Sequence, residues 1–160
     1  MTDLNLNLVI DDANILPNID VDNSTEAIES LGLAFLNTGY IKEEYIQAVL
    51  DREKIYPTGL KTVAGYVAIP HADSINVLKS GLAIATLKSA VIFKSMEDGI
   101  TEFPVTLVIM LAIKDPGSVV SVLQRVVSLL RNEMALNRII LANDPTEIQE
   151  IITNHLEISE

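Results

Sequence analysis

The run Val105-Thr106-Leu107-Val108-Ile109-Met110-Leu111-Ala112-Ile113 constrains this chain most. It is apolar almost without interruption and has the length of a strand. A half-exposed strand alternates apolar with polar residues, whereas this composition suits a strand buried on both faces. It falls far short of the roughly 20 apolar residues that span a bilayer. A sheet built around such a strand needs helices on its faces, and the sequence supplies them.

Asn23 is placed to cap a first helix, with Glu26 at its third position. Ala27, Ile28, Leu31, Ala34 and Phe35 recur at helical spacing, and Gly39 stops the run. A second helix is expected from about Lys42 to Lys54, with Tyr45, Ile46, Val49 and Leu50 on its apolar face, broken by Pro57 and Gly59. A loop through Gly65 then leads to a short strand, Tyr66-Val67-Ala68-Ile69, cut off by Pro70. Leu82–Leu87 and Val91–Phe93 read as two further strands, and Met96–Thr101 as a polar loop. Asp115-Pro116-Gly117-Ser118 opens a helix carrying Val119, Val122, Leu123, Val126, Val127, Leu129 and Leu130. Another helix covers about Glu133–Leu141. Asp144-Pro145-Thr146-Glu147 starts the last one, with Ile148, Ile151, Ile152 and Leu156. Before all these, Leu4, Leu6 and Leu8 alternate with asparagines like a short strand. No repeat or linker is visible. The expectation is one α/β domain over residues 1–160, a central mixed sheet flanked by helices, with residues 1–23 as a lead-in strand and loop.

Several chemistries are excluded at this level. With no Cys there is no disulfide, thiolate metal site or Cys nucleophile. Two His without Cys match no zinc spacing, and no glycine-rich nucleotide loop occurs, so neither metal nor cofactor is expected. A formal net charge of −11 repels nucleic acid and anionic membranes; it would favour encounter with a basic protein partner, the alternative being that the acidity serves solubility alone. Met1–Asp12 is polar and acidic, with no signal-peptide pattern, so a soluble cytoplasmic protein without membrane insertion is expected.

That leaves His71. A lone histidine is ordinarily a surface residue, but this one leaves a buried-looking strand through Pro70 and enters a polar turn with Asp73 and Ser74. Pro70 fixes the local backbone, and a rigid frame presenting a polar turn suits function. A neutral imidazole has one unprotonated nitrogen that can attack phosphorus, while the other keeps its proton and donates it to a carbonyl or carboxylate. Amides at the helix start near Ser118 could receive the phosphate. His155 reads as a solvated helix-end residue.

Arg52-Glu53-Lys54-Ile55-Tyr56-Pro57-Thr58-Gly59 and Val67-Ala68-Ile69-Pro70-His71-Ala72-Asp73, followed by the Leu78–Ala85 segment and the Val105–Pro116 run, resemble the fructose/mannitol-type EIIA domain of the bacterial phosphoenolpyruvate-dependent sugar phosphotransferase system. The similarity covers roughly residues 24 to 157. It implies the EIIA fold, phosphorylation of His71, HPr as phosphoryl donor, the Cys of an EIIB as acceptor, and a membrane EIIC reached only indirectly. It also places Arg52 near the phosphorylated histidine. A guanidinium fork there could pair with phosphate oxygens, the alternative being a solvated helix-end arginine. Thr58 is a further candidate on similar grounds, with Asp73 and Ser118 beside them. Many members of that family carry a second His in the first turn after the long buried strand, where this chain has Val119. The Tyr56–Gly59 run, His71-Ala72-Asp73 and the missing second His look most like the galactitol-type EIIA. A phosphocarrier in sugar or polyol uptake is the leading reading, a regulatory EIIA-like module the alternative. A hydrolase or isomerase using His71 with Asp73 is a third.

Overall fold

The computed structural model describes residues 8–156. Its elements are β1 (Ile15–Ile19), α1 (Ser24–Asn37), α2 (Glu44–Ile55), β2 (Gly59–Thr62), β3 (Gly65–Ala68), β4 (Gly81–Lys94), β5 (Glu102–Ala112), α3 (Val119–Leu130), α4 (Glu133–Leu141) and α5 (Pro145–Leu156). The five strands form one mixed sheet in the order β1-β4-β5-β3-β2. β1 runs parallel to β4 and β3 parallel to β5, while β4–β5 and β2–β3 are antiparallel.

All of the apolar run but its last residue, Ile113, lies in β5, the middle strand, and its two side-chain rows enter different cores. Leu107, Ile109 and Leu111 pack with Val122, Val126, Leu136, Ile148 and Ile152 from α3, α4 and α5. Val108, Met110 and Ala112 pack with Ile28, Leu31, Phe35, Tyr45 and Val49 from α1 and α2. Full burial of each large aliphatic side chain contributes ~1.5–3 kcal/mol, which makes any other placement of this run costly. No helix of the described residues is long and apolar enough to cross a membrane.

The helix ends follow from their side chains. Asn23 accepts the Glu26 amide at 2.9 Å, and the Glu26 carboxylate accepts the amide of Asp22, one residue ahead of the cap, at 2.9 Å. Gly39 takes φ +82°, so that the Gly39 and Tyr40 amides turn back to the carbonyls of Leu36 and Phe35 and close α1. Asp144 accepts the Thr146 amide at 3.0 Å at the start of α5.

Of the expected strand at Leu4, Leu6 and Leu8, the first two residues lie outside the described residues. Three other expectations are corrected. The first described strand is β1, made from Ile15-Leu16-Pro17-Asn18-Ile19 despite its two turn-forming residues. It survives because it is an edge strand: Asn18 takes φ 56°, its amide goes to the Thr86 hydroxyl at 2.7 Å, and the register shifts there. The stretch before Gly65 contains β2, a four-residue edge strand that forms a hairpin with β3. Leu82–Leu87 and Val91–Phe93 belong to one strand, β4, whose register shifts between Thr86 and Val91 where Lys88, Ser89 and Ala90 are exposed.

Candidate functional site

The site forms where β3 ends. Val67 faces Leu107 and Ala68 faces Val108 in the parallel β3–β5 ladder, and the same register carried forward sets His71 opposite Leu111. The Leu111 amide donates to the Pro70 carbonyl at 3.1 Å. The next ladder bond would join the Ala72 amide to the Leu111 carbonyl. The hydroxyl of Tyr45 stands between them instead, accepting the Ala72 amide at 3.1 Å and donating to the Leu111 carbonyl at 2.6 Å. Tyr45 is wholly buried, and burial pushes its hydroxyl well above the ordinary tyrosine range, so it remains a proton donor. A side chain of α2 therefore props β3 away from β5 at His71, and with Pro70 it terminates the strand.

His71 is half-buried, and its Nδ1 lies 2.9 Å from the Ile69 carbonyl. A carbonyl only accepts, so in the neutral ring Nδ1 carries the proton and Nε2 keeps its lone pair. Burial lowers the imidazole pKa from its ordinary 6.5, and the Arg52 charge lowers it further, against the opposing effects of the Ile69 carbonyl and Asp73. The net effect favours the neutral ring, the state a nucleophilic nitrogen requires.

Arg52 stands in the last turn of α2 with its guanidinium 5.2 Å from the centre of the Tyr56 ring. Its Nε is buried without a hydrogen-bond partner among the described residues. Asp73 is exposed at the head of the short turn Ser74–Asn76, and its charge raises the pKa of His71. It makes no hydrogen bond to His71 among the described residues, because Nδ1 is taken by a backbone carbonyl. The Asp–His pair that a hydrolase would use is therefore not formed.

Thr58 lies behind the site. It is buried, and both its amide and its hydroxyl donate to the Glu53 carboxylate, at 2.8 and 2.9 Å. Ser118 is turned to its own loop: its hydroxyl donates to the Asp115 carboxylate at 3.0 Å and its amide to the Asp115 carbonyl at 2.9 Å, while the Gly117 amide donates to the same carboxylate. Val119, at the first position of α3, packs against the core below that helix. His155 is exposed at the end of α5. Among the described residues no group of three His, Asp or Glu side chains could hold a metal ion. The charges of Arg52 and Asp73 thus both act on His71, Thr58 connects to it through Ile69, and Ser118 is bonded elsewhere.

Two residues of this arrangement escape a reading of the sequence. Tyr45 reads there only as part of an apolar helix face, although a buried tyrosine needs a partner for its hydroxyl. Glu53 reads as one more acid in an acidic chain, with nothing to show that its carboxylate turns inward.

The phosphoenolpyruvate-dependent sugar phosphotransferase system, EIIA 2 family, matches residues 8–155. The chain belongs to that family. It is similar to the mannitol-specific phosphotransferase enzyme IIA component of Staphylococcus aureus, 31% identical over 141 residues that cover 86% of this chain and 90% of that protein. Among solved structures it resembles the enzyme IIA of an Escherichia coli complex between mannitol enzyme IIA and phosphorylated mannitol enzyme IIB, with a TM-score of 0.74 and 27% identity, covering 92% of this chain and 99% of that one. The crystal structure of Escherichia coli mannitol IIA aligns with a TM-score of 0.70 and 28% identity over 88% of this chain and 96% of that one. The chain is accordingly an EIIA phosphotransferase component of the mannitol type, and the mixed five-stranded sheet with its covering helices is the fold of that type.

Proposed function

We propose that His71 is the phosphoacceptor, taking a phosphoryl group from phospho-HPr and passing it to the Cys of a cognate EIIB in the cytoplasm. The observation that carries this reading is the 2.9 Å approach of His71 Nδ1 to the Ile69 carbonyl, which commits the Nδ1–H and leaves the Nε2 lone pair for attack. In the first step Nε2 bonds to phosphorus as the donor's P–N bond breaks, and that electron pair stays on the donor's imidazole. In the second step the EIIB thiolate attacks, a P–S bond forms, and the P–N electron pair returns to Nε2. Nδ1 keeps its proton throughout, and the positive charge that develops on the phosphorylated ring is eased by the Ile69 carbonyl. Such transfer depends mainly on positioning and charge stabilisation.

Arg52 is the phosphate partner in this reading. Its buried Nε lacks a partner, and its charge acts on the imidazole, so a phosphoryl group on His71 would meet a cation already in place. The complex of the Escherichia coli mannitol enzyme IIA with phosphorylated enzyme IIB supports EIIB as the acceptor. The substrate delivered is a hexitol. The relatives bear mannitol in their names, whereas Tyr56–Gly59, His71–Asp73 and Val119 favour the galactitol type.

The test is labelling with phosphoenolpyruvate, enzyme I and HPr, followed by transfer to galactitol and mannitol EIIB domains. One acid-labile, base-stable phosphate is expected on the wild type and none on His71→Ala. Label retained by His71→Ala would overturn the assignment. Transfer to one EIIB identifies the hexitol, and failure with every EIIB of the host would favour the regulatory role.

A further inference from the structure

The Ile69 carbonyl that orients His71 is itself held from α2. Glu53 accepts the Thr58 amide at 2.8 Å and the Thr58 hydroxyl at 2.9 Å, a two-point grip on one residue. With its proton directed to Glu53, the Thr58 hydroxyl turns a lone pair to the Ile69 amide, which it accepts at 3.2 Å, while the Thr58 carbonyl accepts the same amide at 3.4 Å. Ile69 in turn accepts the His71 Nδ1–H at 2.9 Å. The N–H and C=O of Ile69 belong to different peptide units. What passes along this chain is therefore position rather than bond polarisation.

We propose that Glu53 is a positioning residue for phosphoryl transfer, acting through Thr58 and Ile69 to fix the Nδ1–H tautomer of His71 and the direction of its Nε2. The inference rests on His71 as phosphoacceptor. It accounts for a feature that strand pairing alone does not require. The ladder gives the Ile69 amide one acceptor, the Thr58 carbonyl, at the longer distance, and the hydroxyl supplies a second, shorter one. The grip also spans the turn at Pro57, so the last turn of α2, which carries Arg52, and the strand end, which carries His71, are set by the same carboxylate.

Two substitutions test it. In Glu53→Gln the side-chain carbonyl can still accept the Thr58 amide, but the NH₂ then faces the Thr58 hydroxyl as a donor, so the hydroxyl proton loses its acceptor and its lone pairs are no longer held toward Ile69. Thr58→Val removes the hydroxyl and keeps the shape, and Thr58→Ser restores the hydroxyl. Nitrogen NMR of the His71 ring at mildly alkaline pH reads the tautomer, phosphoryl uptake from phospho-HPr reads kcat and KM, and urea unfolding reads stability. Glu53→Gln and Thr58→Val are expected to shift the ring from predominantly Nδ1–H to a mixture and to lower kcat about tenfold with KM for phospho-HPr within about twofold, while Thr58→Ser recovers most of the loss. If either folded variant loses stability while tautomer and kcat stay as in the wild type, the carboxylate only braces the corner and the proposal is overturned. It is equally overturned if Thr58→Ser is as slow as Thr58→Val. Should His71→Ala retain label, the phosphoacceptor reading fails instead. A wild type labelled on His71 beside an unaffected Glu53→Gln would remove the positioning role alone.

Discussion

Replacing Tyr45 by Phe isolates the hydroxyl that interrupts the β3–β5 ladder. The ring stays, so no cavity opens; what goes is one bond donated to the Leu111 carbonyl at 2.6 Å and one accepted from the Ala72 amide at 3.1 Å. Two such bonds contribute ~1 kcal/mol each, and a buried carbonyl left without a donor adds about 1 kcal/mol more. Leu111 is fully buried, so water cannot take the place of the hydroxyl. The expected loss is about 3 kcal/mol, or roughly 6–12 °C in Tm for a domain of this size. The chain has no Trp, so far-UV circular dichroism in urea is the suitable assay; the midpoint should fall with the slope unchanged. Phosphoryl uptake should fall as well, by about tenfold or more, because a small displacement of a nucleophile is expensive in rate. If the Ala72 amide closes directly on the Leu111 carbonyl, the stability loss shrinks while the rate loss remains, since His71 is then drawn toward β5. A variant with both stability and uptake rate of the wild type would refute the claim that this hydroxyl sets the end of β3.

Further outcomes follow from the same geometry. Burial raises the Glu53 carboxyl from its ordinary 4.5 to about 7, so the native state holds more protons than the unfolded chain across that interval. Its contribution to stability is present below the lower value and is lost as pH rises through about 7. Urea midpoints measured across this window should decline more steeply for the wild type than for Glu53→Gln. His71 has the opposite sign. Its lowered pKa favours the native state above 6.5, an advantage lost as pH falls through the folded value, and NMR titration should find its midpoint below 6.5. Arg52→Lys keeps the charge but loses the fork, and uptake onto His71 should drop about tenfold, which a lysine of equal value to arginine would not produce. At Gly59 an added Cβ would stand 2.6 Å from the Lys94 carbonyl oxygen, a backbone atom that cannot swing aside. Gly59→Ala should therefore cost about 1–3 kcal/mol in urea unfolding.

The parts of the fold legible in the sequence are those where one physical term dominates. Residues 105–113 have the composition of a strand covered on both faces, and its even and odd rows do enter separate cores. The caps at Asn23 and Asp144 and the stop at Gly39 are local chemistry and appear where their residue types place them. β1 and β2 were hidden because edge strands tolerate what central strands do not: Pro17 and the left-handed Asn18 in one, only four residues in the other. The placing of His71 at a strand end was legible from Pro70, but the means of ending the strand was not. That depends on Tyr45, which is 27 residues from Ala72 and 66 from Leu111 in sequence.

The candidate hydroxyls show the same limit from the other side. Ser118 lies three residues after Asp115 and Thr58 five after Glu53, and each is bonded to that carboxylate. The first pairing is a local turn that the Asp-Pro-Gly-Ser order already encodes. The second crosses the Pro57 turn and has no sequence signature. Both hydroxyls are thereby engaged in supporting the backbone, and Val119, at the first position of α3, is apolar and packed on the core. A phosphoryl group on His71 would then depend on Arg52 for its compensating charge and on the backbone near the strand end for its orientation. Such a site gains its selectivity from how firmly the nucleophile is held, which is why the Tyr45 wedge and the Glu53 grip, neither of which touches the phosphate in this arrangement, should affect the rate as strongly as a lost donor would.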